Sequence, residues 1–243
     1  MSKNYEEVKK FADQALGEIP QVIDLLFKLD EDAGMEQFNQ NQFLYLGRSN
    51  LSLKARVLIA MSVALANGPK ESAMIHFKLA KRFKIDPLEI LDAMRTTKMV
   101  LMSSTLDSVD LLIDSFGAAS KTDKEKSETD TILKNLRRDA GIIPGRVSKA
   151  AEFSTELMKE HLREKKIMLK PIKLLPKDVY AIAFAVSASI QDRDCQKVYL
   201  GQFVKNGGSR EEAEDILTTT RFLVGNRAFV NGLEILRNLV ITD

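Results

Sequence analysis

The stretch Leu53-Lys-Ala-Arg-Val-Leu-Ile-Ala-Met-Ser-Val-Ala64 occurs a second time, altered but in register, as Pro176-Lys-Asp-Val-Tyr-Ala-Ile-Ala-Phe-Ala-Val-Ser187. The offset of 123 residues holds without a gap over Leu53–Val109 and Pro176–Gly232. The identical positions include the apolar Ile59, Ala60 and Val63 and the helix-start residue Glu89, which are framework positions of a helical fold. A constant offset over this length indicates that the two segments adopt the same structure.

The repeat extends upstream with a slip of one residue, since Gly17-Glu-Ile-Pro20 matches Gly141-Ile-Ile-Pro144. A period near 120 residues is the size of a small domain and is too long for a solenoid repeat. We therefore predict two copies of one domain, at 1–119 and 130–243. The charged, polar segment 118–130 lacks apolar periodicity and is predicted to be an exposed linker or a frayed helix start.

The apolar spacing predicts an all-α fold. Val57, Leu58, Met61 and Ala64 recur at three- and four-residue intervals, as one buried helix face requires. The same periodicity predicts about six helices in each half: 4–16, 20–29, 35–47, 53–67, 70–84 and 87–116 in the first, then 129–140, 145–164, 176–191, 193–206, 209–224 and 226–240 in the second. We expect the helix at 87–116 to break near Ser103.

Helix-start signals occur at matching places in both halves. Asp86-Pro-Leu-Glu89 supplies an N-cap, a proline at the first helical position and a glutamate three residues after the cap. Ser209-Arg-Glu-Glu212 forms the same capping-box pattern. Both predict a helix that begins just after the cap.

Composition excludes several classes of function. The chain has 243 residues, 44% of them hydrophobic, and a net charge of only +2, so nothing indicates a nucleic-acid partner. The densest basic stretch, Arg163–Lys173, is interpreted as a solvated connector. The N-terminus is polar and no apolar run would cross a bilayer, so we expect no membrane association. The single cysteine suggests a reducing, cytoplasmic location.

Further motifs follow the repeated helix quoted above. His76 lies on the next helix, and Lys84-Ile-Asp-Pro-Leu-Glu-Ile stands where one known family tends to have Gly-Ala-Thr-Pro-Glu-Glu-Ile. The second copy has Gly207-Gly-Ser-Arg-Glu-Glu-Ala at that place and keeps Gly225 and Asn231 in its last helix. In these features the repeated unit resembles the carboxymuconolactone decarboxylase and alkylhydroperoxidase D (AhpD-like) superfamily, once in each half. The resemblance implies tandem AhpD-like helical domains.

The peroxidase branch of that superfamily carries a glutamate, a Cys-x-x-Cys and a histidine. The resemblance places these four positions at Val57, Pro69, Ser72 and His76 in the first copy, and at Tyr180, Asp192, Cys195 and Tyr199 in the second. Neither copy retains two thiols, so neither can pass through the intramolecular disulfide of a dithiol cycle. The decarboxylase branch keeps acidic residues near its histidine, which Glu71 partly matches.

The candidate catalytic residues are therefore His76 and Cys195, and the candidate substrate-binding residues are Glu71, Ser72, Tyr180 and Tyr199. Structural alternatives stay open for each. His76 could be a buried histidine bonded to a backbone carbonyl, Cys195 could be a small buried apolar residue, and the two tyrosines could fill a former pocket. We also expect His76 and Tyr199 to occupy equivalent points of the two copies.

Three functions are compatible with these residues. The first is a protein without the dithiol relay that binds a small organic molecule in a helical pocket, with Cys195 or His76 as its reactive remnant. The second is a non-catalytic assembly domain with closed sites. The third is a decarboxylase- or hydrolase-type enzyme using Glu71 and His76; activity, if present, would be decarboxylase-like or single-cysteine peroxidase-like. We expect no cofactor and no metal, and a homotrimer that mimics six domains, as the resemblance implies.

Overall fold

The computed structural model describes residues 3–68 and 70–241, and all regular elements in these two ranges are helical, without a strand. The all-α prediction is confirmed. The helices are α1 (Lys3–Ala15), α2 (Gln21–Leu29), α3 (Glu31–Gln40) with a π-helical continuation (Asn41–Leu46), α4 (Leu53–Asn67), α5 (Lys70–Arg82), α6 (Pro87–Thr105), a 3-10 turn (Leu106–Ser108), α7 (Val109–Phe116), α8 (Asp123–Ala140), α9 (Gly145–Phe153), α10 (Thr155–Met168), α11 (Pro176–Ser189), α12 (Arg193–Lys205), α13 (Arg210–Asn231) and α14 (Leu233–Ile241).

Side-chain caps explain where the observed helices depart from the predicted ones. The single helix predicted over 145–164 is wrong, because Ser154 is extended (φ −157°, ψ 117°) and accepts a hydrogen bond from Leu157 N–H at 3.1 Å. Asp30 has nearly the same backbone angles and accepts from Ala33 N–H at 2.7 Å, which starts α3. A capping side chain satisfies an amide at a helix start, so it begins a new helix.

Two other boundaries differ. A capping box of Thr122 and Glu125 starts α8 at Asp123, inside the segment for which we predicted a connector. The break predicted between 224 and 226 is also wrong, because α13 runs through Gly225 and ends before Gly232. One glycine inside a helix costs only about 1 kcal/mol relative to alanine, so it does not stop a well-packed helix. The predicted capping box of Asp86 and Glu89 is confirmed at the start of α6.

Two compact units divide the chain, and neither coincides with one half of the sequence. Unit 1 is Met1–Ile85 with Arg210–Asp243, and unit 2 is Asp86–Ser209. In unit 1, α4 packs against α5 and α13, and α14 packs against α2; in unit 2, α11 packs against α12 and α6, and α7 packs against α9. Unit 1 therefore contains α13 and α14 from the second half of the sequence, and unit 2 contains α6 and α7 from the first half. The matching pairings support the predicted duplication, and copies at 1–119 and 130–243 stay a prediction about the sequence.

The repeated stretch forms the centre of each unit. Every residue of α4 from Ala55 to Ala64 is buried, and α11 is buried almost as completely. Burial on all sides, rather than on one face, explains why these helices lack a polar stripe. Full burial of an aliphatic side chain such as Leu58 or Ile182 stabilises the fold by about 1.5–3 kcal/mol.

Two equivalent aspartates hold the last helices in place. Asp92 of α6 is 1% exposed and accepts hydrogen bonds from the backbone N–H groups of Ile172, Lys173 and Leu174, at 2.8–3.1 Å. Asp215 of α13 is fully buried and accepts from the N–H groups of the loop before α4, at Asn50 (2.9 Å) and Leu51 (3.1 Å). Burial opposes ionisation of both carboxyl groups, but the hydrogen bonds outweigh it and lower the pKa of each.

Left-handed backbone also recurs at the offset of 123. Lys84 (φ 54°) corresponds to Gly207 (φ 87°), and Gln191 (φ 61°) corresponds to Gly68 (φ 58°). Both members of a pair follow the end of a helix, and only one of the two is a glycine. A non-glycine residue in this conformation costs about 1–2 kcal/mol, so each copy carries one strained turn.

Candidate functional site: two cavities

The cavity of unit 1 contains three of the predicted residues. Glu71, Ser72 and His76 lie along α5 and line a space of about 450 Å³. Ser72 and His76 are four residues apart and share one face of the helix, and Glu71 lies at the edge of that face. The opposite walls contribute polar side chains from α3, the π-helical continuation, α13 and α14: Gln37, Asn41, Asn226 and Arg237.

His76 is buried against Tyr45 of the π-helical segment. Its Nδ1 lies 3.3 Å from the Tyr45 hydroxyl oxygen, and the two rings meet edge to face at 5.5 Å. Its partner is thus a phenol instead of the backbone carbonyl named in the structural alternative. Burial lowers the pKa of His76 to about 4, so the imidazole is neutral at pH 7. A neutral imidazole can accept a proton at one ring nitrogen and donate a proton from the other.

Tyr45 is itself fixed from two sides. Phe222 of α13 stacks on its ring at 6.4 Å, with 22° between the planes. Arg56 of α4 donates hydrogen bonds to the carbonyl oxygens of Tyr45 and Leu46 at 2.8 and 2.5 Å. The irregular π-helical segment therefore has its carbonyl groups satisfied by a buried cation, and the phenol beside His76 is held in one position.

The acidic side of this cavity is open. Glu71 is exposed and Ser72 is half-buried, while Pro69, which stands at the first cysteine position of the resemblance, lies outside the described residues. Within residues 3–68 and 70–241, no three His, Cys, Asp or Glu side chains are arranged to hold a metal ion. The polar groups that α5 contributes are the carboxylate of Glu71, the hydroxyl of Ser72, the neutral imidazole of His76 and the ammonium of Lys78, which pairs with Glu18 at 2.7 Å.

The cavity of unit 2 is larger and basic. It has a volume of about 930 Å³, and both predicted tyrosines, Tyr180 and Tyr199, line it. Asp139 is its one acidic lining residue in the described chain, and Arg138 pairs with that carboxylate at 2.9 Å. The cations on its walls are Lys165, Lys166, Lys170 and Lys205.

Lys165 and Tyr199 lie against each other in this cavity. The Nζ atom of Lys165 is 5.0 Å from the centre of the Tyr199 ring, a cation–π distance. Tyr199 is fully buried, and burial raises the pKa of its phenol well above the usual value. Tyr180 is half-buried, and burial raises the pKa of its phenol as well. Both tyrosines are therefore neutral, and they can offer a ligand an aromatic face or a hydrogen bond.

Cys195 does not line the large cavity. It lies in the first turn of α12, as predicted, is 3% exposed, and borders a void of about 10 Å³ together with Lys165. Burial raises the pKa of the thiol to about 12, although Lys165 and Arg146 oppose the shift. The thiol is therefore protonated at neutral pH and is a poor nucleophile.

Arg146 of α9 is the buried cation beside Cys195, and the sequence did not single it out. Its Nη1 donates to Asp192 Oδ2 at 2.6 Å and to the Ser103 carbonyl at 2.9 Å, and its Nη2 donates to Asp192 Oδ1 at 2.5 Å. Its Nη1 also lies 3.4 Å from the Cys195 Sγ. Burial opposes ionisation of Asp192, but the bonds from Arg146 and Cys195 N–H lower its pKa overall. The guanidinium group of Arg146 thus interacts more closely with the Asp192 carboxylate than with the Cys195 thiol.

The interpretation of Arg163–Lys173 as a solvated connector is wrong. Residues up to Met168 belong to α10, and three lysines of the stretch line the unit 2 cavity. A basic run on an amphipathic helix covers one face only, so half of it can point to a pocket while the rest is solvated. For Arg146 a signal did exist, since it stands at the place of the apolar Val22 in the repeated upstream segment.

The structure thus separates the candidates into three places. Glu71, Ser72 and His76 share the unit 1 cavity, Tyr180 and Tyr199 share the unit 2 cavity, and Cys195 lies behind Lys165 next to the latter. His76 and Tyr199 each line the cavity of their own unit. Their structural equivalence stays a prediction.

A solved structure with this fold exists. The chain is similar to a protein of Burkholderia xenovorans LB400, provisionally named a gamma-carboxymuconolactone decarboxylase subunit, whose crystal structure was determined at 1.70 Å. The TM-score is 0.80 with 14% sequence identity, over 98% of this chain and 97% of that chain. No family model matches the sequence, and no curated protein matches it. The likeness confirms the expected fold, that of a carboxymuconolactone decarboxylase-like chain, over nearly the whole length.

None of the helices among the described residues is both long enough and apolar enough to span a membrane.

Proposed function

We propose that this protein binds a small organic anion in the cavity of unit 2, as a carboxymuconolactone decarboxylase-like protein that has lost the dithiol relay. The observation that carries the proposal is the cavity itself: about 930 Å³ lined by four lysines, two tyrosines and several apolar side chains. Ligand pockets of this size are usually apolar with a few well-placed polar groups. The exposed ammonium groups of Lys166, Lys170 and Lys205 select negative charge, and the tyrosines provide aromatic contact.

Binding by calorimetry tests this directly. Aromatic and aliphatic dicarboxylates should bind, and the corresponding diamides, which have the same shape without charge, should not. The double variant Lys166→Met/Lys170→Met should weaken dicarboxylate binding by about ten-fold or more, since each 1.4 kcal/mol of lost interaction is a factor of ten. A matched control is Lys149→Met, because Lys149 is exposed and pairs with Asp110 away from the cavity. Equal binding of acids and diamides would overturn the proposal.

Cys195 is a weaker candidate for the reactive group than the sequence suggested. Its thiol is buried, protonated and absent from the cavity lining. We expect no turnover of an organic hydroperoxide with a dithiol reductant, and no difference between the wild type and Cys195→Ser. Robust turnover that the substitution abolishes would instead establish a one-cysteine cycle resolved by an external thiol.

A second candidate function belongs to unit 1. The alignment of Glu71, Ser72 and His76 on one wall favours acid–base chemistry of the decarboxylase or hydrolase type. Here His76 acts as a base held by Tyr45. If this cavity is catalytic, His76→Gln abolishes turnover of an active carboxylic acid substrate while Lys166→Met/Lys170→Met leaves it unchanged. The opposite pattern assigns the activity to unit 2.

We also propose a homotrimer in the cytoplasm. Equivalent positions of the two copies expose the same kind of apolar side chain: Met94 and Leu217, Leu112 and Ile235, Phe116 and Leu239. Exposed apolar surface that recurs in both copies is typical of an assembly interface. The single free cysteine supports a reducing compartment. Light scattering after size exclusion should give three times the 27.3 kDa chain mass, and a clean monomer at micromolar concentration would contradict the trimer.

A further inference from the structure

Lys165 is half-buried, whereas the other three lysines of the unit 2 cavity, Lys166, Lys170 and Lys205, are exposed. Lys159 on the same helix pairs with Glu128 at 2.8 Å, and Lys173 pairs with Asp86. Among the residues that the structure describes, no carboxylate lies within ion-pair distance of Lys165. Its Nζ atom lies over the face of the Tyr199 ring. A half-buried ammonium group without a counter-ion is unfavourable, because burial removes water without replacing its charge.

The surroundings of Lys165 favour the neutral amine. Burial is the main cause that lowers the pKa of Lys165, and Arg146 contributes, while Cys195 and Asp192 oppose. The opposition from Cys195 is small at neutral pH because its thiol is protonated. Asp192 is already engaged by both terminal nitrogens of Arg146. Two other ionisable side chains border the small void. Burial lowers the pKa of His161 to about 4, so this imidazole is neutral, and Asp194 lies beyond ion-pair distance of Lys165.

The lysines of this cavity occupy two kinds of position, one half-buried and three exposed. Lys166, Lys170 and Lys205 can hold a carboxylate, whereas Lys165 sits deeper, between the cavity and the void beside Cys195. From this geometry we infer that Lys165 is a nucleophile that forms an imine with the carbonyl carbon of a 2-oxo carboxylate. The inference rests on the proposed binding of organic anions in unit 2, and it adds the substrate class and the reacting atom.

The step is balanced without any further reactant. The lone pair of the Lys165 Nζ attacks the carbonyl carbon, a C–N bond forms, and the carbonyl electron pair moves to oxygen. The two N–H protons of the neutral amine pass through cavity solvent to that oxygen, which leaves as water while the C=N bond forms. The products are one imine and one water molecule, with no oxidation or reduction. The iminium form of such an adduct withdraws electrons from the neighbouring carboxylate or α-carbon.

Unit 1 does not share this feature. With the one-residue slip of the upstream repeat, the place of Lys165 is taken by Asn41, whose side chain donates to the Gln37 carbonyl at 3.0 Å. An amide nitrogen cannot form an imine. The chemistry inferred for Lys165 therefore belongs to one unit only.

Reductive trapping tests the inference. The intact protein is incubated at neutral pH with 2-oxoglutarate or pyruvate and cyanoborohydride, and the adduct is located by peptide mass spectrometry. We expect one adduct, at Lys165, formed faster than at exposed lysines, since a lowered pKa leaves more of the amine unprotonated. The variants Lys165→Arg and Lys165→Met should lose the adduct. Lys149→Arg, at an exposed lysine away from the cavity, should keep it.

Two controls separate this inference from the proposed function. The 2-hydroxy acid of the same chain length keeps the carboxylate but has no keto group at C2, so it should bind but leave no adduct. Circular dichroism and melting curves of both Lys165 variants check that they fold; Lys165→Arg keeps the charge and Lys165→Met keeps the length. Binding of 2-oxo acids without trapping overturns the imine but leaves anion binding intact. Absence of both binding and trapping overturns both proposals. Equal labelling of many lysines, also in Lys165→Arg, overturns the imine.

Discussion

The two cavities share helices at matching places of the sequence, α2, α3 and α5 in unit 1 and α9, α10 and α12 in unit 2, but they hold different chemistry. In unit 1 the neutral imidazole of His76 contacts the phenol of Tyr45. In unit 2 the ring of Tyr199 packs against the amine of Lys165. The buried arginine also changes place, from Arg56 on α4 in unit 1 to Arg146 on α9 in unit 2. The comparison shows that a repeated helical frame fixes where a cavity lies, while a few side chains decide what it can bind.

The largest effect should come from the buried ion pair that unit 2 alone possesses. Side chains of Arg146 and Asp192 are 4% and 2% exposed. Arg146→Met should lower the free energy of unfolding by about 3–5 kcal/mol, because it leaves Asp192 buried without its partner. Urea denaturation measures this. The double variant Arg146→Met/Asp192→Asn should recover part of the loss. A cost below 1 kcal/mol for the single variant would contradict the buried pair.

Asp92 and Asp215 should behave alike, because they do the same work in the two units. Replacing either by alanine leaves two or three buried amide groups without an acceptor, so each change should cost about 3 kcal/mol or more. Asp110→Ala, which removes an exposed carboxylate, is the control and should stay within about 0.5 kcal/mol. A marked difference between the two buried aspartates would break the equivalence of the units.

Acid should destabilise both units through their histidines. His76 and His161 have pKa values lowered by burial to about 4, below the unfolded value near 6.5. Between these values the unfolded state binds more protons than the folded state. Stability is therefore complete above pH 6.5 and falls as the pH drops towards 4, by on the order of 3 kcal/mol for each histidine. His76→Gln and His161→Gln should each flatten the stability–pH curve between pH 6.5 and 5. Unchanged slopes would show that the imidazoles reach water.

The smallest effects concern the left-handed turns. Lys84→Gly and Gln191→Gly should each stabilise the protein by about 0.5–1 kcal/mol, because relief of left-handed strain exceeds the entropy that glycine adds to the unfolded chain. The reverse changes at the equivalent sites, Gly207→Lys and Gly68→Gln, should destabilise by a similar amount. Thermal melting of the four variants measures the effect. A destabilising Lys84→Gly would mean that the lysine side chain contributes more than its backbone strain costs.

Local features of the fold were predictable because their signals are local. The capping box of Asp86 and the buried repeat beginning at Leu53 depend on neighbours within a few residues, and both are confirmed. The grouping of Glu71, Ser72 and His76 follows from helix spacing alone. By contrast, the pairing of Arg146 with Asp192 and the approach of Lys165 to Tyr199 join residues more than thirty positions apart. Their sequence signature was only charge, and charge does not show which helix face is covered.

The exchange of the last two helices could not be predicted for a related reason. Periodicity shows that α6 and α13 bury an apolar face, but both halves offer an equivalent helix to cover, α4 or α11. Choice between them depends on the path of the connecting residues and on Asp92 and Asp215, whose acceptor role appears only when the loops before α11 and α4 are in place.

The division into units has a consequence for biosynthesis. Unit 2 is one uninterrupted segment, Asp86–Ser209, whereas unit 1 is completed only by Arg210–Asp243. A ribosome therefore releases all of unit 2 while α2 still lacks Val230 and Leu236, which complete its apolar cluster. Domains fold as they emerge, so the second part to be translated is the first that can finish folding. A stop codon shortly before Val230 would thus disable unit 1, although most of its helices are translated before unit 2.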